Sequence, residues 1–163
     1  MNSPSEDPYW KLRPIPPTPA DELCDCQGEP PLILRDSLGD NPLACADCNL
    51  EVPPERIGFS EELAEELAVW QSFHRCFYQL WLDSGKFASW ASAELSHPDS
   101  EVNVRGLQAV QNLTRIRTAF LWWFRDTEQE HASPMQTCPA CASRLETVGF
   151  AQGCKACRIF RVD

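Results

Sequence analysis

Residues 138–157 read CPACASRLETVGFAQGCKAC and carry the most informative pattern in the chain. This stretch contains two Cys-x2-Cys pairs, Cys138 with Cys141 and Cys154 with Cys157, separated by twelve residues. A zinc ion bound by four thiolates at about 2.3 Å is tetrahedral, and a Cys-x2-Cys turn presents two of those thiolates from one tight knuckle. The spacing therefore predicts a β-hairpin that joins two knuckles around a structural zinc ion, with a rubredoxin-type iron site as the alternative.

A second group of four cysteines lies near the start of the chain. Cys24 and Cys26 are separated by one residue, and eighteen residues later Cys45 and Cys48 form another Cys-x2-Cys pair. The β-like run at residues 31–34 falls between the two pairs. We expect a second zinc ion here. Two alternatives stay open: these cysteines are partly free, or one pair from each group shares a metal.

The eight clustered cysteines resemble those of zinc-ribbon proteins, specifically the uncharacterised bacterial zinc-ribbon-containing proteins described as possibly nucleic-acid-binding. The resemblance rests on the pairs of residues 138–141 and 154–157, and less on the first group. It implies bound metal and a local ribbon fold at each end of the chain. The chain departs from the common knuckle pattern where Ala142 and Arg158 follow the second cysteine of a pair, positions often held by glycine.

The length and composition of the chain predict one folded domain, and its cysteine content indicates a reducing compartment. A length of 163 residues allows one core with small appendages. Nine cysteines cannot all pair as disulfides, and Cys76, the one outside the groups, is interpreted as a small buried apolar residue. Because residues 1–7 are polar and acidic and no run approaches about 20 apolar residues, we expect a cytoplasmic protein.

The middle of the chain is helical in pattern. Ser60 is a candidate N-cap of a first helix, Gly85 is a candidate terminator, and residues 86–95 are typical of a second, short helix. A third helix is predicted from Ser100 or Asp99 towards Asp126, with a possible break near residues 114–118. The apolar positions expected to place the first helix in the core are Leu63, Leu67, Trp70, Phe73, Phe77 and Leu80.

These patterns predict a mainly α fold with small β elements, in which a helical core is flanked by two four-cysteine zinc ribbons. The predicted units are a Pro-rich extended arm at residues 1–20, an N-terminal ribbon-like unit at 21–58, a helical core at 59–131 and a C-terminal zinc ribbon at 132–163. Because the core would not depend on metal, we expect its helices to survive removal of the zinc.

Charge is distributed unevenly along the chain. Residues 1–100 carry 6 Lys and Arg against 18 Asp and Glu, whereas residues 101–163 carry 8 against 6. An acidic protein is repelled by phosphate backbones, so contact with a nucleic acid would have to be local. The basic residues proposed for such a contact on the last ribbon are Arg144, Lys155, Arg158 and Arg161, with Phe150 and Phe160 as residues that could stack on bases.

Patterns typical of catalysis are scarce. His74, His97 and His131 are isolated in the sequence, and His74 is expected to be a hydrogen-bonded core residue. No Gly-rich phosphate loop or nucleophile elbow is present. We therefore expect a non-enzymatic zinc-binding protein that interacts with or regulates another protein, with a nucleic-acid-binding ribbon protein as the alternative.

Overall fold

The computed structural model describes residues 7–37, 39–126 and 136–161. His131 and the boundary predicted between residues 131 and 132 lie outside these ranges. Within them, six short strands form one mixed sheet in the order β2-β1-β3-β6-β5-β4. The strands are β1 (Leu32–Leu34), β2 (Leu43–Cys45), β3 (Ala119–Trp122), β4 (Glu146–Val148), β5 (Ala151–Cys154) and β6 (Ile159–Arg161).

Strand β3 joins the two cysteine-bearing hairpins into a single sheet. Strands β1 and β2 are antiparallel, and β4, β5 and β6 form an antiparallel meander. Strand β3 lies between β1 and β6 and is parallel to both, with Ile33 opposite Phe120 and Leu121 opposite Ile159. The two metal-binding units predicted at opposite ends of the chain are therefore parts of one continuous sheet.

The helices among the described residues are α1 (Glu61–Asp83), α2 (Ala88–Ser96) and α3 (Glu101–Thr114). The Ser60 hydroxyl accepts a hydrogen bond from the Leu63 amide, and the Ser100 hydroxyl accepts one from the Asn103 amide. Both predicted N-caps are confirmed. Gly85 follows α1 with a φ of +56°, a left-handed conformation that ends the helix at little cost for a residue without Cβ.

The main core lies between one face of the sheet and helices α1 and α3. It contains alternate residues of the central strands, such as Leu32, Leu34 and Leu121, together with Leu67 and Trp70 from α1. Four metal-group cysteines belong to the same cluster: Cys24, Cys45, Cys138 and Cys154. The candidate metal ligands are thus part of the core rather than of units attached to it.

The opposite face of the sheet is covered because the sheet curls on itself. Phe120 and Phe160 are 2% and 0% exposed on this face, where they pack with Ile33 and Val148. The curl is closed at the turn between β4 and β5, where the Phe150 amide donates to the Ala46 carbonyl at 2.9 Å. Ala46 lies between Cys45 and Cys48, so the hairpin of the second cysteine group contacts the knuckle of the first.

The prediction of a mainly α fold with small β elements is wrong, because the sheet passes through the centre of the molecule. The third helix ends at Thr114, and the segment that was expected to continue it towards Asp126 instead forms β3. Three residues of β3 are buried, which requires an apolar residue at almost every position. The same composition fits a helical stripe, so periodicity over so short a segment does not separate the two structures.

Fewer residues of the first helix are buried than the sequence predicts. Phe73, Phe77 and Leu80 are only half-buried, because the C-terminal half of α1 packs against α2 and not against the sheet. Trp81 is buried instead, with its ring 5.0 Å from that of Phe124. Cys76 is exposed, so its interpretation as a buried apolar residue is wrong.

The N-terminal arm lies against the folded body over its described part. The Tyr9 hydroxyl donates to the Phe59 carbonyl at 2.7 Å, and the two rings meet edge to face at 5.1 Å. Leu12 is 1% exposed within the main core. None of the helices in the described residues has the length and apolar character needed to cross a membrane.

Candidate metal centres

The first four-cysteine group is assembled by strand β2 and the loops on either side of the first hairpin. Cys45 ends β2, and the chain then turns so that the Asn49 amide donates to the Cys45 carbonyl at 2.9 Å. The Asp47 amide points at the Cys45 sulfur at 3.4 Å. Amide groups directed at a sulfur favour its thiolate form, which is the form that binds a metal.

The other pair of this group is held in place from two sides. The Cys24 amide donates to the Glu51 carbonyl at 2.8 Å. The Arg56 guanidinium donates to the Cys24 carbonyl and, at 2.9 Å, to the Cys26 carbonyl. Arg56 therefore fixes the backbone of both cysteines of this pair.

The second group is formed by two knuckles at the ends of the β4–β5 hairpin. The Cys138 amide donates to the Ser143 carbonyl at 2.8 Å, and the Cys157 amide points at the Cys154 sulfur at 3.4 Å. The Cys141 and Cys154 sulfurs are 3.7 Å apart. A tetrahedron with metal–sulfur bonds of about 2.3 Å has sulfur–sulfur edges of about 3.8 Å, so this separation fits a bound metal.

All three Cys-x2-Cys knuckles share one backbone feature. The residue after the second cysteine has a left-handed conformation: Asn49 has a φ of 63°, Ala142 of 58° and Arg158 of 57°. Asparagine tolerates this region, whereas alanine and arginine rarely adopt it. The absence of glycine after Cys141 and Cys157 is therefore a departure in residue type and not in knuckle geometry.

The pKa values of the thiols differ within each group. Burial raises the pKa of Cys45 in the first group and of Cys138 and Cys157 in the second. The hydroxyl and amide of Ser143 act in the other direction and lower the pKa of Cys141 to about 6. A metal ion must therefore displace protons from the buried thiols before all four sulfurs can bind it.

The two groups are separate in space. In each, the four sulfur atoms lie within 4.8 Å of one another, and no sulfur of one group belongs to the other. The structure thus contains two four-cysteine sites that can each hold a metal ion, and it does not support the alternative in which one pair from each group shares a metal. The candidate ligand residues are Cys24, Cys26, Cys45 and Cys48 at one site and Cys138, Cys141, Cys154 and Cys157 at the other.

The basic residues suggested for nucleic-acid contact do not form one exposed surface. Arg161 is 5% exposed, and the Arg158 guanidinium lies 5.8 Å from the centre of the Phe120 ring. Lys155 is paired with Glu146 at 3.0 Å, while Arg144 is exposed. Phe160 is fully buried, so the suggestion that it stacks on a base is wrong, and Phe150 is 41% exposed.

Two features were not found from the sequence. His74 is buried, with Nδ1 3.6 Å from a carboxylate oxygen of Asp36, but Nδ1 has no hydrogen-bond partner among the described residues. The expectation of a hydrogen-bonded core histidine is therefore confirmed only for its burial. The second feature is a row of partly exposed apolar residues along α1 and α2. Two of its members, Phe73 and Phe77, were predicted to belong to the core stripe of the first helix.

Comparison with family models, with curated proteins and with solved structures finds no match to this chain. The two sites are therefore classified from their geometry alone, as two groups of four thiols that are each positioned by short β elements.

Proposed function

We propose that this protein binds two structural zinc ions and acts without catalysis, by engaging another protein. The observation that carries the metal assignment is the approach of four cysteine sulfurs within 4.8 Å at each of two sites. Thiolate ligands favour zinc and iron–sulfur centres over magnesium or calcium, and single four-cysteine shells at knuckles of this kind suit zinc. The resemblance to zinc-ribbon proteins supports the same choice.

The donor set also argues for a structural and not a catalytic role. Catalytic zinc sites keep one coordination position for water or substrate, whereas four protein thiolates fill a tetrahedral shell. Each site here supplies four. The metals would hold the knuckles together in a sheet whose strands are only three or four residues long.

The surface proposed to engage a partner is an aromatic row along α1 and α2, made of Val69, Phe73, Phe77 and Trp90. The first three are four residues apart in α1 and lie on one side of it. The Phe73 and Phe77 rings are 5.0 Å apart, and Phe77 is 5.4 Å from Trp90. Val69 is 48% exposed and Trp90 51%, while Phe73 and Phe77 are half-buried. The Arg105 guanidinium lies 5.0 Å from the centre of the Phe73 ring, so the row offers apolar area to a partner at its two ends.

Charge determines the kind of partner that fits this row. The chain has a net charge of −10, so a partner whose apolar contact face is surrounded by basic residues gains from electrostatic attraction. A nucleic acid would be repelled by the same field. The exposed Arg144 and the paired Lys155 are too few to reverse it.

The test is purification of the tagged protein from its native host, with identification of what remains bound at about 0.15 M salt. We expect a protein that is lost from the Trp90→Ala variant and retained by Leu82→Ala. Leu82 is the matched control, because it is 53% exposed on α1 but lies off the row. Recovery of DNA or RNA that depends on Arg144 would reject the proposal in favour of nucleic-acid binding.

A further inference from the structure

The two metal sites differ in how far their sulfurs are accessible. In the first, Cys24 and Cys45 are 4% and 0% exposed, and the other two cysteines are half-buried. In the second, Cys138 and Cys154 are equally buried, but Cys141 is exposed. Cys141 is therefore the one candidate ligand residue that is exposed, whereas each cysteine of the first site is buried or half-buried.

A groove brings solvent to the second site from another side. It has a volume of about 1020 Å³ and lies between α3 and the knuckles of the second group. Gln111 and Arg115 line it on the helix side, and Ala156 and Cys157 line it on the knuckle side. A small reagent can therefore reach Cys157 as well as Cys141.

The first site is also tied more firmly to the rest of the molecule. Arg56, between the first knuckles and α1, donates to the carbonyls of both Cys24 and Cys26. At the second site Cys141 has the Ser143 hydroxyl beside its sulfur, 3.0 Å away, within the same exposed turn. Displacing Cys141 thus disturbs a local contact only, whereas displacing Cys24 or Cys26 disturbs contacts with a distant part of the chain.

We propose that the C-terminal four-cysteine site is an oxidation-sensitive metal site, with Cys141 as the sulfur that reacts first, while the N-terminal site keeps its metal. The inference rests on the proposed zinc content of both sites. The oxidant is a hydroperoxide, a class small enough to reach Cys141 and the groove.

The reaction consumes one hydroperoxide and two thiolates. The Cys141 sulfur attacks the O–O bond, so that an S–O bond forms and hydroxide, or alkoxide, leaves. A second thiolate then attacks the sulfenic sulfur and expels hydroxide, which leaves a disulfide. Cys154 is placed for this step, because its sulfur is 3.7 Å from that of Cys141. The two sulfurs together lose two electrons, the peroxide gains them, and the zinc ion loses two ligands.

Oxidation at this site would also affect the sheet and the groove next to the knuckle. Cys154 ends β5, which pairs with β6, and β6 pairs with β3 at the centre of the sheet. The knuckle at Cys157 also forms one wall of the groove against α3. Loss of the metal would therefore change the shape of the groove.

The experiment treats the zinc-loaded full-length chain with hydrogen peroxide while a chromogenic chelator reports released zinc. We expect one equivalent to be released in a fast phase and the second to remain or to leave slowly. Digestion with trypsin after the fast phase cleaves after Arg144 and Lys155, which places Cys154 and Cys157 in separate peptides. Cys138 and Cys141 stay in one peptide, so fragmentation of the linked peptides identifies which of these two is oxidised. We expect Cys141 linked to Cys154 in the mass spectrum.

Cys76 provides the control, since it is exposed but belongs to neither site. The Cys76→Ser variant should release zinc with the same two phases as the unchanged chain. Release of both ions at one rate, or first oxidation at Cys24, Cys26, Cys45 or Cys48, would overturn the inference while leaving the proposed zinc content intact. A chain that holds no zinc before treatment would contradict the proposed metal content and, with it, this inference.

Discussion

The residue after each Cys-x2-Cys pair has a left-handed backbone conformation, which is strained for a residue with a Cβ atom. A substitution by glycine at such a position should relieve this strain. Ala142 has a φ of 58° and is exposed, so no packing is lost when its side chain is removed. A residue with Cβ pays about 1–2 kcal/mol for this conformation, and glycine does not. Ala142→Gly should therefore raise the free energy of unfolding of the zinc-loaded chain by about 1 kcal/mol, measured by denaturant titration.

Ala140 is the matched control for that change. It is exposed in the same knuckle, but its φ lies outside the left-handed region. Ala140→Gly should lower stability by about 0.5–1 kcal/mol, because glycine only adds freedom to the unfolded chain. Destabilisation of equal size by both variants would show that knuckle strain is absent.

The thiol pKa values predict opposite pH dependences with and without metal above the ordinary thiol pKa of about 8.5. Burial raises the pKa of Cys45 and Cys138 in the folded chain without metal, so its stability should fall as the pH rises above that value. The pKa of Cys141 is lowered to about 6, so this thiol acts in the other direction at lower pH. The zinc-loaded chain should lose stability as the pH falls, because protons compete with zinc for the sulfurs.

Thermal unfolding of both forms across about pH 5–10, the range over which cysteine titrates, tests this prediction. The result to compare is whether the unfolding temperature of each form rises or falls with pH. A metal-free chain that becomes more stable above the thiol pKa would mean that the folded structure stabilises thiolates, contrary to the burial of Cys45 and Cys138.

At the scale of elements, the β4–β5 turn joins the two metal units. A Cβ on Gly149 would lie 1.8 Å from the Ala46 carbonyl oxygen, and the φ of Gly149 is +54°. Gly149→Ala should therefore open the contact between the second hairpin and the first knuckle. Gly28 is a matched control, because its φ is +78° and a Cβ there would meet nothing within 4 Å.

The left-handed conformation lowers the free energy of unfolding of both variants by about 1–2 kcal/mol. Only Gly149→Ala adds a steric clash, which lowers it by about 1–3 kcal/mol more. Equilibrium unfolding of the zinc-loaded variants measures the difference. Equal losses at the two positions would mean that the turn does not close the sheet.

Two tryptophans on neighbouring helices are buried to different degrees, and this predicts different effects for the same substitution. Trp70 is 2% exposed and its indole donates to the Val102 carbonyl at 3.1 Å, whereas Trp90 on α2 is 51% exposed. Trp70→Ala should cost about 3–5 kcal/mol of stability, and Trp90→Ala less than about 1 kcal/mol. A large loss for Trp90→Ala in denaturant unfolding would place the aromatic row in the core and remove it as a partner surface.

Local signals account for the parts of the fold that the sequence predicted. Cysteine spacing identified the two ligand groups, and the helix starts at Ser60 and Ser100 follow from side chains that cap nearby amides. Strand β3 could not be predicted in this way, because its partners β1 and β6 are distant in sequence and pair with it in parallel. A four-residue apolar segment gives no hint of such partners.

The sequence predicted which cysteines form the two groups, but not which other residues contact those cysteines. The Arg56 contacts with Cys24 and Cys26 span thirty residues or more, and no local pattern indicates them. The exposure of Cys76 and Phe77 was missed for a related reason. Helical periodicity shows which residues share a face, but it does not show how far a neighbouring element covers that face.

At the scale of the whole molecule, metal and core are expected to unfold together. The sequence led us to expect that the helices would survive removal of zinc. Cys24, Cys45, Cys138 and Cys154 instead belong to the core cluster that contains Leu67 and Trp70. Removal of zinc should therefore lower the temperature at which the helical circular dichroism signal is lost, with helices and sheet unfolding in one cooperative transition. An unchanged helical transition in the metal-free chain would show that the helices fold without the sheet.

Native mass spectrometry with elemental analysis measures whether each four-cysteine group holds one zinc ion. We expect two zinc ions per chain as purified, and one in a Cys45→Ser or Cys154→Ser variant that still folds. Cys76→Ser should retain two, since Cys76 belongs to neither group. Fewer than two metal ions in the unchanged chain, or iron in place of zinc, would show that the two groups are not both zinc sites.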